Sequence, residues 1–150
     1  MNTTIYINTT TDFGSTYTKI IHGESASFKA TEIRFRMHSE HKTKERYYPL
    51  EVQIFHTELY STSRNFKLAV SLLFDIDSSS SSTFLQSVID GYEDGKTSSK
   101  ISFNLGDLMT KNNIEDFWFY LGSITIPPCS NGRLNWLVSR KIYKMSANQE

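Results

Sequence analysis

The sequence predicts a mainly β fold with one or two short helices at its surface. Three observations carry this. First, Glu32 to His56 reads as two strands around a polar turn. Ile33 and Phe35 alternate with Arg34 and Arg36, and Leu50, Val52 and Ile54 alternate with Glu51 and Gln53. Alternate side chains of a strand point to opposite faces, so each strand offers one apolar and one polar row. Second, further short runs of apolar and β-branched residues recur along the chain, separated by Gly, Ser and Asn clusters. Third, 38% hydrophobic and 13% aromatic residues describe a folded chain, not a disordered one. The 150 residues suffice for one domain, spanning residues 1–150, with a real core.

The elements follow in order. Thr3 to Thr10 alternates weakly, with Ile5 and Ile7 on one face, and reads as a strand. Asn2-Thr3-Thr4 and Asn8-Thr9-Thr10 fit the glycosylation triplet, which a Thr-rich segment produces readily by composition. Asp12 to Ser15 is a turn, Thr16 to Gly23 a second short strand, and Gly23 to Ser27 a loop. His22 reads as a surface histidine without a chemical task. Phe28 to Met37 and Leu50 to Leu59 form the central pair, joined by a basic, solvated hairpin at Lys42 to Arg46. After a polar turn at Ser61 to Asn65, the apolar run Phe66 to Ile76 fits a buried central strand. Asp77 to Ser82, with five consecutive serines, reads as a mobile loop, after which Thr83 caps a helix with Phe84, Leu85, Val88 and Ile89 at helical spacing, ending at Gly91 or Gly95. The aromatic cluster Phe117 to Tyr120 precedes a last strand at Leu134 to Ile142, and the polar tail Met145 to Glu150 is expected to fray.

Several ordered motifs together resemble the alpha-class carbonic anhydrases. S-E-H stands at Ser39, Glu40 and His41, and P-L-E-V-Q-I-F-H at Pro49 to His56. L-G-S-I-T-I-P-P-C-S at Leu121 to Ser130 is similar to the family's G-S-L-T-T-P-P-C segment, and Asn135-Trp136-Leu137-Val138 to the strand after it. Ile101 to Leu108 resembles the family's F-x-L-x-x-L-L segment. The resemblance implies a twisted, mostly antiparallel central sheet. It also implies a chain truncated at both ends, beginning about a third of the way into the fold. A sheet cut in this way has open edges that pair with other chains. The partner of the cysteine that extracellular members pair at the Cys129 position is absent, since Cys129 is the single cysteine.

The departures from the family pattern bear on function. The resemblance implies three zinc-binding histidines, and those positions hold Arg34, Arg36 and Gln53. Met37 replaces the tryptophan that the family prefers, and the loop after it is shortened to His38. Zinc takes imidazole, thiolate or carboxylate ligands. A guanidinium stays protonated and offers no lone pair. Without zinc there is no bound water of lowered pKa to act as hydroxide. The reading is a catalytically inactive carbonic anhydrase-related protein with no catalytic residue, no metal and no cofactor. His38, His41 and His56 are not a substitute metal set. His41 and His56 correspond to histidines that make buried hydrogen bonds in relatives.

By the same resemblance, Glu51 stands where a glutamate orients a ligating histidine, and Glu40 and Thr125 where a glutamate and a threonine hydroxyl orient the zinc-bound hydroxide. Ile126 follows where a second threonine is common. Here Glu40, Glu51 and Thr125 are expected to keep fold-specific hydrogen bonds. A buried guanidinium requires a partner. Glu40, Glu51 and Glu32 are the carboxylates expected to neutralise Arg34 and Arg36 in an internal ion-pair network. In the competing reading, the two arginines hold a carboxylate, phosphate or sulfate as an anion pocket.

The functional expectation is a non-catalytic binding or scaffold domain, a structural subunit whose partners are other protein chains completing or packing on the sheet. The alternatives are a cell-surface domain for anionic glycans or anions and an active hydratase with a non-standard site. Lys plus Arg equals Asp plus Glu at 16 each, which gives no pull toward nucleic acid or anionic membrane and little support to the glycan reading. No apolar run approaches the ~20 residues of a membrane helix, and Met1 to Asn8 lacks the pattern of a signal peptide. The sequence does not specify a compartment.

Overall fold

A computed structural model describes residues 4–8, 16–21, 24–60, 67–93, 108, 116–125, 129 and 134–150. The described residues build a seven-stranded sheet and a small separate hairpin. The sheet's spine is β3 (Glu24–Met37), β6 (Leu50–Glu58), β7 (Lys67–Ile76) and β9 (Leu134–Met145), and β8 (Phe117–Gly122) follows β9. On the outer side of β3, β1 (Thr4–Asn8) pairs with residues 32–36 and β2 (Thr16–Ile21) with residues 24–29, end to end. β4 (Lys42–Thr43) and β5 (Arg46–Tyr47) form the hairpin. Lys44 and Glu45 at its tip both have positive φ, at 50° and 61°, the geometry of a tight turn whose twist suits the strands it joins.

Every pairing in the main sheet is antiparallel except β7 with β9. The mostly antiparallel, mainly β expectation holds. Parallel neighbours need a long crossover, and α1 (Thr83–Glu93) lies within this one. Among the described residues, no helix is long and apolar enough to cross a membrane.

The position of the polar row depends on one irregularity. The β3–β6 register shifts between Ala30 and Glu32, leaving Thr31 as an extra residue, a β-bulge. Its hydroxyl donates to the Phe55 carbonyl at 3.3 Å. Before the bulge the even positions Ala26, Phe28 and Ala30 enter the main core; after it the odd positions Ile33 and Phe35 do. The extra residue therefore turns Glu32, Arg34 and Arg36 to the opposite face. That core also takes Val52, Ile54, Leu68, Val70, Leu72 and Phe74, and is covered by Phe84, Leu85 and Val88 of α1. The Phe35 and Phe84 rings stack with centroids 6.1 Å apart.

Several expectations need correction. Glu24 to Ser27 are strand, not loop. Their small polar residues resemble a loop by composition, but β2 pairs with them and Ala26 is buried. The helix cap is Ser82, not Thr83, because the Ser82 hydroxyl accepts the Leu85 N–H at 3.3 Å. The helix runs past Gly91 to Glu93. The C-terminal tail is fixed rather than frayed. Met145 is fully buried, and a short 3-10 turn at Ala147–Gln149 buries Gln149. The Gln149 amide accepts from Ser82 N at 3.0 Å and donates to the Ser82 carbonyl at 2.9 Å. A side chain with both a donor and an acceptor there satisfies backbone groups at the start of the helix.

The expected turns at Asp12 to Ser15 and Ser61 to Asn65, His22, Gly95, Ile126 and the stretch from Ile101 to Asp107 lie outside the described residues. Leu108 is described. It is buried, and its carbonyl accepts the Tyr143 hydroxyl at 3.0 Å.

Candidate functional site

The second face of the sheet carries the polar row. Arg34 is opposite Gln53 and Arg36 opposite Glu51 across the β3–β6 pair. The row continues through Ser71 on β7, opposite Gln53. Trp136 on β9 and Tyr120 on β8 are paired with each other and close the far side. The alternation in sequence thus brings together the three positions that resemblance marks as former ligand positions, Arg34, Arg36 and Gln53.

Both guanidiniums have carboxylates beside them. Arg34, 8% exposed, grips Glu32 with two parallel hydrogen bonds, Nε to Oε1 at 2.5 Å and Nη2 to Oε2 at 3.0 Å. Its guanidinium carbon also lies 3.9 Å from the centre of the Phe55 ring, a cation–π contact. Arg36 Nε lies 3.3 Å from Glu40 Oε1. Gln53 is fully buried, and its Nε2 donates to Glu40 Oε2 at 2.8 Å and to Glu51 Oε1 at 3.0 Å. Its Oε1 has no hydrogen-bond partner among the described residues.

Glu51 departs from expectation. Neither arginine pairs with it directly; it anchors a cluster of other donors that Gln53 links to Glu40 and so to Arg36. Its Oε2 accepts the backbone N–H groups of Glu40 at 2.7 Å and His41 at 3.0 Å. Its Oε1 accepts Gln53 Nε2, the Ser71 hydroxyl at 2.8 Å and His41 Nδ1 at 2.6 Å. Burial alone would push this carboxyl up. The His41 side chain, the His41 N–H and Gln53 outweigh burial and bring it down to about 2. The reason is local. The Ser39–His41 turn folds back over β6, held by Ser39 Oγ between the His41 carbonyl and the Tyr48 N–H. That turn supplies three of the donors that occupy the Glu51 oxygens.

An ionised Glu51 only accepts, so His41 Nδ1 carries a proton. In the neutral ring, Nε2 then accepts the Tyr120 hydroxyl, 2.6 Å away. Burial, followed by the Glu51 and Glu40 charges, pushes this phenol up to about 12. The Tyr120 ring stacks on Trp136 at 6.2 Å with planes 7° apart, and His41 meets Trp136 edge-on at 4.8 Å. Gly122 permits this stack. A Cβ there would lie 2.7 Å from Tyr120 Cε2 and 2.9 Å from Trp136 Cδ1.

The remaining candidates are dispersed. His38 is exposed at φ 60°, and His56 faces the main core, where its Nδ1–H donates to the Ile54 carbonyl at 3.0 Å. Burial holds His56 down at about 4. Among the described histidines, only His41 belongs to the polar row. Thr125 does not keep the hydrogen bond expected of it: its Oγ1 has no partner among the described residues. The Glu40 oxygens are engaged by Arg36 and Gln53 instead. Sequence reasoning missed Ser71, Tyr120, Trp136 and Gly122. Ser71 had a signal, as the one polar residue between Leu68 and Phe74.

Zinc does not fit this donor set. At the three positions the atoms facing the carboxylates are guanidinium and amide N–H groups, which lend no lone pair to a metal.

A sheet of this topology with a polar row on its second face, S-E-H packed over it and an aromatic strand beside it defines a carbonic anhydrase-type domain. The family model for eukaryotic-type carbonic anhydrase matches residues 2–150, and the chain belongs to that family. Human carbonic anhydrase-related protein is 27% identical over 81% of this chain and 47% of its own length. Human receptor-type tyrosine-protein phosphatase zeta is 29% identical over 97% of this chain and 7% of its own. The solved alpha-carbonic anhydrase of Photobacterium profundum superposes with a TM-score of 0.71 at 24% identity, over 97% of this chain and 62% of that one. The chain thus spans about half the length of the carbonic anhydrase-related protein it matches.

Proposed function

We propose that this chain is a non-catalytic carbonic anhydrase-like binding or scaffold domain, a structural subunit of a larger assembly. One observation carries the reading: Arg34 and Gln53 stand opposite each other and both direct N–H groups at carboxylates where the family resemblance implies zinc ligands. Two guanidiniums without a lone pair and one neutral amide stand in place of the imidazole nitrogens that a catalytic zinc requires, and they add two positive charges beside the site of a dication. The similarity to carbonic anhydrase-related protein supports the same reading.

The ion pairs favour an internal role for the arginines over an anion pocket. Glu32 and Glu40 already supply the oxyanions that an external carboxylate or phosphate would bring. The partners of this reading are other protein chains. The test is zinc content and CO2 hydration of purified protein, after metal loading. The expected result is no stoichiometric zinc and no hydration above buffer. Stoichiometric zinc together with activity that chelation abolishes would overturn the proposal.

A further inference from the structure

We infer that Tyr120 is a proton-coupled redox site: a small one-electron oxidant at the surface takes an electron from its phenol while the hydroxyl proton passes to His41 Nε2. The inference goes beyond the non-catalytic reading and does not use the former zinc positions. A phenol stripped of an electron becomes a very strong acid. It therefore gives up that electron readily only where a base already holds its proton. Tyr120 has such a base, with 2.6 Å between its hydroxyl and His41 Nε2. His41 Nδ1 in turn donates to Glu51 Oε1 at 2.6 Å, so the imidazolium that forms is already paired with a carboxylate. The step balances. The phenol O–H bond breaks, an N–H bond forms on His41, Tyr120 becomes a neutral phenoxyl radical, and the oxidant is reduced by one electron. Burial first, then the Glu51 and Glu40 charges, keep the phenol protonated at neutral pH, and the same two charges favour loss of an electron from the ring.

The neighbouring aromatics lack one part or another of this arrangement. The Tyr48 hydroxyl meets the Thr43 hydroxyl at 2.8 Å, and Tyr143 donates to the Leu108 carbonyl at 3.0 Å. Neither an aliphatic hydroxyl nor a peptide carbonyl takes up a proton near neutral pH, so those phenols keep theirs. Trp136, stacked on Tyr120, is fully buried, and its indole N–H is donated to the Ser123 carbonyl at 3.1 Å. An electron lost from Trp136 is therefore replaced from Tyr120, whose proton has a base to receive it. The Arg140 guanidinium lies 5.3 Å from the centre of the Trp118 ring and disfavours a second positive charge there. Tyr120 is exposed enough for an oxidant to touch the ring, while the side chain of its base, His41, is mostly covered.

The test is oxidation of the full chain by hexachloroiridate(IV), with tyrosyl radicals captured by a nitrosoalkane spin trap and the adducts mapped by tandem mass spectrometry. Tyr60 is 82% exposed against 40% for Tyr120, so oxidation governed by exposure would fall first on Tyr60. The expected result is the reverse, several-fold more adduct on Tyr120 than on Tyr60 or Tyr92. His41→Gln, checked for wild-type circular dichroism, keeps a hydrogen-bonding side chain but offers no base, and the Tyr120 adduct should fall to the Tyr60 level or below. A second measurement does not depend on the folding of that variant. Iridate consumption by the wild type should show a fast phase that is slower in heavy water and absent from Tyr120→Phe. Adducts that follow exposure, a folded His41→Gln with the wild-type pattern, or a fast phase that survives Tyr120→Phe or ignores heavy water overturns the proposal.

Discussion

Replacing Glu51 by glutamine tests the centre of the polar network. The wild-type carboxyl lies at about 2 against an ordinary value of 4.5. At about 1.4 kcal/mol per pH unit, that gap is worth about 3 kcal/mol of folding stability. The sign follows from the depressed folded value: the contribution is complete above about pH 4.5 and is lost as pH falls from there toward 2. Glu51→Gln keeps the shape and removes the charge. Of the donors around it, the glutamine oxygen satisfies only one side, and its NH2 confronts the rest. The expected cost at pH 7 is about 3 kcal/mol, the scale of breaking a buried charge-assisted network. Urea denaturation of both proteins at pH 7, and at steps between pH 4.5 and the acid limit of folding, measures both effects. The variant should be less stable at neutral pH, and the difference should shrink in acid. A variant within about 0.5 kcal/mol of wild type at pH 7 would refute the reasoning, since that is the size of ordinary surface changes.

Other outcomes follow from the same geometry. His56, held at about 4 by burial, should make stability fall as pH drops from 6.5 toward 4, and His56→Gln should abolish that part of the denaturation profile. Gly122→Ala should destabilise by about 1–3 kcal/mol through overpacking against Tyr120 and Trp136, read as a lower melting temperature and altered tryptophan fluorescence. Gln149→Ala should cost about 1–2 kcal/mol in chemical denaturation, since it removes the partners of the Ser82 N–H and C=O.

Much of this site was legible in sequence because strands have a period of two. Alternation alone put Arg34 and Arg36 on one face, and Glu51 and Gln53 on one face. The cross-strand register is Arg34 with Gln53 and Arg36 with Glu51. Choice of partner was not legible. Arg36 goes to Glu40 and not to Glu51, because a turn from Ser39 to His41 delivers backbone donors to Glu51, and a turn's reach does not show in residue spacing. Composition also misled at two places in the described chain. Glu24 to Ser27 and Ser146 to Gln149 are small or polar, yet one is paired by a strand and the other is locked by a glutamine amide to a serine far away in sequence.

Thr31 contributes a single hydroxyl hydrogen bond to Phe55, yet it sets which surface half of β3 displays. Without the surplus residue, the face that carries Ala26, Phe28 and Ala30 would run straight on to Glu32, Arg34 and Arg36 and turn those charges into the main core. Gains or losses of one amino acid at such a point change which surface a whole half-strand displays, while every letter beyond it stays the same.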